Sequence, residues 1–352
     1  MSRFFSEKYS SLTPYVPGEQ PKDTQYVKLN TNESPFPPPA SVLEAAKTEA
    51  GRLQLYSDPE VALLTEKAAE TLGVKKSQVL MTNGSDEALN FAFMAFCDKT
   101  HPIAFPDVTY GFYSVFAELN GIPYTKIPLK EDFSVGVESY VGLHQNIVIA
   151  NPNAPTGLAL SRAQIEEILQ SNPDNVVIID EAYVDFGGES CVPLIDKYEN
   201  LLVTQTFSKS RSLAGARLGM AIGNEKLIAD LNTVKYSTNP YNVNRMTAAA
   251  GYAALCETAW FENNCQTIRE VRAYTTAELK KLGFEVLDSK TNFLFAKSSA
   301  IDGKTLYEQL KAKGVLVRHF NGARIKDYVR ITVGTKEQMT VFLEKTKEVL
   351  SK

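Results

Sequence analysis

The chain has 352 residues, 44% of them hydrophobic and 22% charged, with a net charge of −4 at pH 7. That composition suits a globular chain long enough for one large domain and a smaller one. Its Lys and Arg are dispersed, so no nucleic-acid footprint is present, and no run approaches the roughly eighteen apolar residues of a membrane span.

The opening MSRFFSEKYS lacks a long apolar core and a cleavage site, so no secretory signal is expected. Cys97, Cys191, Cys256 and Cys265 are scattered, which reads as free thiols in a reducing cytoplasm. His101, His144 and His319 lie too far apart to suggest a metal cluster.

The first forty residues read as an irregular arm, because LTPYVPGEQP and NTNESPFPPP are too rich in proline for a long helix. An arm of that kind must lie across something else to be ordered. Ser41 with Glu44 predicts a capping box that opens a helix, and a second helix is expected over Glu60 to Leu72, ending at Gly73. From there strands and helices alternate. Strands are expected at Val79 to Thr82, Pro102 to Phe105, Tyr124 to Ile127, Asn146 to Ala150, Val176 to Ile179, Leu201 and Leu218. Helices are expected through Phe96, near Tyr110 to Leu119, and after a Ser161–Gln164 capping box. This alternation predicts an α/β fold with a doubly wound, mainly parallel sheet, whose ligands sit at the carboxyl ends of the strands.

After Asn224 the pattern changes. Helical periodicity runs from about Asn244 to Leu282, followed by strands near Phe284, Asn292 to Ala296, Val315 to Arg318 and Tyr328 to Thr332, then a helix over Glu337 to Leu350. The expected organisation is an arm over 1–40, a large domain over 41–243 and a smaller α+β domain over 244–352.

Several residues at expected strand ends carry chemistry. Lys209 follows an apolar strand and is flanked by Thr206 and Ser208, with Arg217 eight residues on. An amine in such a place suits imine formation with a carbonyl, and the hydroxyls and guanidinium suit a phosphate. A surface lysine at a strand end is the plain alternative. Gly84, Ser85 and Asp86 form a strand-to-helix turn that is either an anion cradle or an ordinary helix cap. Asp180 closes a buried apolar run and so needs a cationic or N–H partner, for which a protonated pyridine is suitable. Tyr183 could reach an oxygen on the same ring, and Tyr110 could stack on it; for both, core packing is the alternative. Asn153 lies in a Pro- and Gly-rich loop, NPNAPTG. Together these residues place an amine, an acid, a phenol and an anion site at one sheet edge, which is what pyridoxal phosphate requires.

On the blocks LNTNESPFPPP, LYSDPE, NGSDEAL, PDVTYGFY, NPNAPTG, IIDEAYVDF, TFSKSRSLAGARLG and VRITVGT, the chain resembles the fold-type I, aspartate-aminotransferase-like family of pyridoxal-phosphate enzymes. Within that family it is similar to the histidinol-phosphate aminotransferases. The resemblance implies a large domain with a mainly parallel seven-stranded sheet and a smaller α+β domain. It implies that Lys209 links to the cofactor and moves a proton, Asp180 holds the ring nitrogen, Tyr183 bonds the ring hydroxyl and Tyr110 stacks on the ring. Gly84, Ser85, Asp86, Thr206, Ser208 and Arg217 would hold the phosphate. Tyr56 would reach the phosphate of the neighbouring subunit, which makes a homodimer the expected unit. Arg330 would grip the substrate anion, with Arg318, Tyr15 and Asn32 on the substrate side. One departure stands out: the family's usual Asn before Pro-Thr-Gly is Ala154 here, and Asn153 is one residue away. The implied activity is transamination between the glutamate/2-oxoglutarate pair and the histidinol phosphate/imidazole acetol phosphate pair. The alternatives are an aromatic amino-acid aminotransferase or a threonine-phosphate decarboxylase on the same scaffold, and a cofactor-binding module without catalysis. A nicotinamide dehydrogenase would need G-x-G-x-x-G where the chain has NGSDEA.

Overall fold

A computed structural model describes residues 2–10, 12–15, 17–21 and 25–351. The arm contributes one short strand, β1 (Val27–Lys28), before the proline-rich stretch delivers the chain to α1 (Ala40–Ala50). The cap of α1 is Pro39, and the expected Ser41–Glu44 box does not form. The Ser41 hydroxyl donates instead to Glu257, a long-range partner that sequence spacing does not reveal. α2 (Ala62–Leu72) ends at Gly73, which takes the left-handed conformation (φ 69°) that glycine adopts without penalty.

The alternating section follows: β2 (Val79–Thr82), α3 (Ser85–Phe96), β3 (Ile103–Pro106), α4 (Phe112–Asn120), β4 (Tyr124–Ile127), β5 (Asn146–Ala150), α5 (Arg162–Ser171), β6 (Val177–Asp180), β7 (Leu201–Thr206) and β8 (Gly219–Gly223). Ser161 and Gln164 do form the expected capping box of α5. Among the described residues seven strands make one sheet in the order β2-β8-β7-β6-β5-β3-β4. β8 alone runs antiparallel to its neighbours, so the other six share one direction. Continuous apolar strands such as Val177–Ile179 and Leu201–Val203 are buried, as strands covered on both faces must be. The carboxyl ends of β2, β3, β5, β6 and β7, and the start of β8, therefore meet along one edge.

The remaining elements are α6 (Glu225–Thr238), α7 (Arg245–Cys256), α8 (Thr258–Lys281), β9 (Phe284–Val286), β10 (Phe293–Ser298), α9 (Gly303–Ala312), β11 (Val315–Leu316), β12 (Arg318–His319), β13 (Tyr328–Thr332) and α10 (Lys336–Leu350). β12, β13, β10 and β9 form an antiparallel sheet, while β11 pairs in parallel with β1 of the arm. The single strand expected over 315–318 is thus shared between two ladders.

Two helices escaped the sequence pattern. α6 buries only Ile228, Leu231 and Lys235, too few apolar positions to set a period, although Asn224 caps it. α9 likewise rests on Leu306 and Leu310 behind an Asp302 cap. α7 packs on α1 and α2, and its Ala250, Ala254 and Leu255 join the core beneath the large sheet. The division expected at residue 244 therefore separates α7 from the core it fills. α8 supplies Cys265, Ile268, Val271 and Leu279 to the core of the small sheet. Among the described residues no helix is long and apolar enough to cross a membrane.

Candidate functional site

Asp180 is the last residue of β6 and is buried at the sheet edge. Its Oδ2 accepts a hydrogen bond from the Tyr113 hydroxyl at 2.8 Å, and its Oδ1 accepts from the Ala182 N–H (3.2 Å) and the Thr204 hydroxyl (3.3 Å). Burial pushes its carboxyl up to about 6, against the pull of the Tyr113 hydrogen bond and with a push from nearby Asp86. A carboxylate so placed gains most from a cation in the pocket it faces.

Lys209 follows β7 across Phe207 and Ser208, and lines the same pocket as Asp180 and Tyr183. Its ammonium lies 5.7 Å from the centre of the Tyr183 ring and donates to the Thr31 carbonyl at 3.4 Å. The Tyr183 hydroxyl oxygen accepts from the Asn32 amide at 3.0 Å. Amine, acid and phenol thus converge as the sequence order of the strands requires, with the arm closing one side.

The candidate anion cradle is the turn between β2 and α3. Gly84 takes φ 81°, and a Cβ there would lie 2.7 Å from the Arg217 guanidinium. α3 starts at Ser85, so its unpaired N–H groups open onto the pocket. Across from it the Thr206 and Ser208 hydroxyls are 3.0 Å apart, and Arg217 Nη2 pairs with Asp86 Oδ2 at 3.1 Å. Asp86 also accepts from the Tyr110 hydroxyl at 2.8 Å. The Asp86 carboxylate therefore orients Tyr110 and Arg217, leaving the hydroxyls, the guanidinium and the helix start as the donors for an anion. Gly219 brings the strand and the helix start together, since a Cβ at that position would lie 2.3 Å from the Ser85 nitrogen.

A second basic centre lies between the pocket and the small sheet. Arg318 and Arg330 are directly paired residues of β12 and β13. Arg330 Nη2 donates to the Asn30 carbonyl at 3.0 Å, while its Nε is buried without a hydrogen-bond partner among the described residues. Burial presses its pKa down, and the groups around it are Tyr183, Tyr15, Tyr110 and the second guanidinium. The buried Arg330 Nε without a partner, next to a second guanidinium across the ladder, calls for an anionic ligand. Tyr15 packs its ring on Phe112 (4.4 Å between centroids) and near Tyr110 (6.5 Å), so the arm reaches this wall as well.

Asn153 and Tyr56, both expected at the cofactor, do not line the pocket. The Asn153 amide donates to the Val108 carbonyl and the Thr156 hydroxyl and accepts from the Thr109 hydroxyl, so it ties its own loop to the segment between β3 and α4. The methyl of Ala154 lines the pocket instead. Tyr56 is 80% exposed and stacks on Tyr241 (4.6 Å), away from the pocket of its own chain. Sequence reading missed Tyr113, Thr31 and Glu33. Tyr113 meets Asp180 from the first turn of α4, which starts at Phe112 and leaves Tyr110 outside it, so the spacing of the two tyrosines does not reveal the contact. Thr31 and Glu33 line the pocket only because the arm folds across it, which no local pattern encodes. Among the described residues no group of three His, Cys, Asp or Glu could hold a metal ion.

The sequence matches the aminotransferase class I and II family over residues 24–345. It is 49% identical over 352 residues to the histidinol-phosphate aminotransferase of Brachyspira hyodysenteriae, covering 99% of each protein. It is 45% identical over 352 residues to that of Clostridium acetobutylicum, covering 100% of each. The solved histidinol-phosphate aminotransferase of Sinorhizobium meliloti, in complex with pyridoxal-5'-phosphate, superposes with a TM-score of 0.91 at 22% identity, covering 100% of this chain and 98% of that one; this is a likeness of fold. The expected aspartate-aminotransferase-like architecture is thus present. The chain belongs to the class I and II aminotransferases and, within them, to the histidinol-phosphate aminotransferases.

Proposed function

We propose that this enzyme moves an amino group between the glutamate/2-oxoglutarate pair and the histidinol phosphate/imidazole acetol phosphate pair, with pyridoxal phosphate as cofactor. The observation that carries this reading is one pocket holding Lys209, Asp180, Tyr183 and the Arg217 cradle, with the Arg318–Arg330 pair beside it. The donor set fits the cofactor. Asp180 is a buried acid lacking a cation, Gly84 and Gly219 leave room where a Cβ would fill the cradle, and Lys209 faces the space between.

When bound, pyridoxal phosphate supplies an aldehyde for amine exchange and a protonated ring that withdraws electrons from the substrate Cα–H bond. Asp180, held by Tyr113, Thr204 and the Ala182 N–H, keeps a ring N–H in place. Tyr110 covers the ring, its hydroxyl fixed on Asp86. Ser85 and the start of α3, with Thr206, Ser208 and Arg217, bind the phosphate group. Lys209 Nζ carries the proton to and from the substrate Cα. Arg330 and Arg318 bind the substrate's carboxylate or phosphate, and a guanidinium fork accepts both. Tyr15 shields that site from the arm side.

The active unit in this reading is a cytoplasmic homodimer, with Tyr56 completing the phosphate site of the partner subunit. Support comes from exposed apolar side chains on the segment that carries Tyr56 (Leu53, Leu55) and on α1 (Leu43), α2 (Leu63) and α7 (Tyr252). The test is a half-reaction titration. Histidinol phosphate should bleach the near-visible absorbance of the cofactor-loaded protein, and 2-oxoglutarate should restore it. Bleaching by an aromatic amino acid but not by histidinol phosphate would overturn the substrate assignment, as would carbon dioxide release from threonine phosphate.

A further inference from the structure

Three consecutive arm residues each touch a different functional group. The Asn30 carbonyl accepts from Arg330, the Thr31 carbonyl from Lys209, and the Asn32 side chain reaches Tyr183. Asn32 is the most constrained of them. It is only 1% exposed and holds φ 55°, a left-handed conformation that Asn tolerates better than most residues. Its backbone N–H donates to Thr332 Oγ1 at 2.9 Å, and its carbonyl accepts from the Asn292 amide at 3.0 Å.

The direction of the Tyr183 contact follows from these bonds. The Thr332 hydroxyl accepts from the Asn32 N–H, so its own proton goes to Asn32 Oδ1, 3.1 Å away. That leaves Nδ2 as the end of the amide facing Tyr183, and an amide nitrogen only donates. The Tyr183 oxygen is therefore an acceptor from the arm, and its own proton is free to point elsewhere. The neighbouring loop offers no competing amide, because Asn153 is engaged with Val108 and Thr156 and Ala154 presents a methyl.

We propose that Asn32 is a positioning residue for Tyr183. By donating into the phenol oxygen it commits the Tyr183 proton to the pocket, where it meets the cofactor's ring oxygen. The inference rests on pyridoxal phosphate being the group that fills this pocket. It gives Asn32 a part distinct from the substrate contact that resemblance implied, and links the Arg330 strand to the cofactor ring through Thr332, two residues away on β13. A hydrogen bond donated to the ring oxygen stabilises its anion and makes the nitrogen linked beside it harder to protonate. Loss of Asn32 should thus raise the pH at which the near-visible absorbance of the cofactor-loaded protein titrates.

The test is that titration on Asn32→Gly, Tyr183→Phe and the double variant. Glycine removes the amide without straining the left-handed backbone. Asn32→Gly should raise the midpoint by about half to one pH unit, the worth of one hydrogen bond. The double variant should titrate with Tyr183→Phe, because the amide acts only through the phenol. Thr332→Val keeps the Asn32 amide but removes both the donor to its Oδ1 and the acceptor of its backbone N–H, so the amide can turn and the midpoint should move the same way by less; it serves if Asn32→Gly does not fold. An unmoved midpoint in both Asn32→Gly and Thr332→Val overturns the proposal, as do additive shifts in the double variant. Failure of the wild-type protein to form any near-visible band would overturn the cofactor assignment itself, and this inference with it.

Discussion

At the scale of single residues, Asp180 is a carboxylate that is costly without its ligand. It titrates at about 6 in the folded chain against an ordinary 3.8, because burial opposes its charge. Its contribution to stability is therefore complete below about pH 4 and is lost as pH rises through about 6. Asp180→Asn removes the buried charge, so the cofactor-free variant should be more stable than the parent by about 1–3 kcal/mol at pH 8. That gain should vanish near pH 4, and its turnover should fall by orders of magnitude. Thermal melts across that range check this; a variant less stable at pH 8 would contradict it. Lys209, Asp180, Tyr183 and Arg217 were legible in the sequence because each ends a strand or a turn whose pattern is local. Tyr113 and Thr31 were not, because their parts depend on a helix face and on an arm returning from a distant point in the chain. Asn153 was misplaced for a related reason: the loop decides whether the amide of residue 153 or the side chain of residue 154 faces the pocket.

At the scale of elements, the anion cradle exists because β8 lies against the start of α3. Gly219→Ala puts a methyl 2.3 Å from the Ser85 nitrogen and 2.5 Å from the Gly84 carbonyl carbon, so strand and helix must part. We expect cofactor affinity to fall at least about tenfold and stability by about 1–3 kcal/mol. Gly215→Ala, where a Cβ meets nothing within 4 Å, is the control and should change neither. Equilibrium cofactor titration and thermal melts read the two effects, and equal behaviour of the two variants would refute the close contact. The buried strands were read from sequence almost residue for residue, since continuous apolar runs such as Leu201–Val203 have one physical fate. Boundaries failed where long-range partners decide them: Ser41 caps nothing because Glu257 takes its hydroxyl, and Val315 and Arg318 belong to different ladders because the arm pairs with only one of them.

At the scale of the whole molecule, the large sheet supplies the pocket, the small sheet supplies the arginine pair, and the arm bridges them. The proposed homodimer lies beyond one chain. Leu63 is 74% exposed on α2, so if the proposed dimer covers it, Leu63→Asp should bury a charge on pairing and weaken association at least about a hundredfold. Sedimentation should find the parent at twice the mass of one chain and the variant shifted toward the single chain, with weaker cofactor retention because Tyr56 no longer arrives. A parent that sediments as a single chain would contradict this. The proposed chemistry as a whole depends on one amine, Lys209, taking hold of an aldehyde in the pocket. Borohydride reduction of the cofactor-loaded protein, followed by peptide mass mapping, examines that step without relying on any substrate. The expected result is the cofactor's mass on the peptide containing Lys209 and on no other; an unmodified Lys209 peptide, or the label on a different lysine, would contradict it.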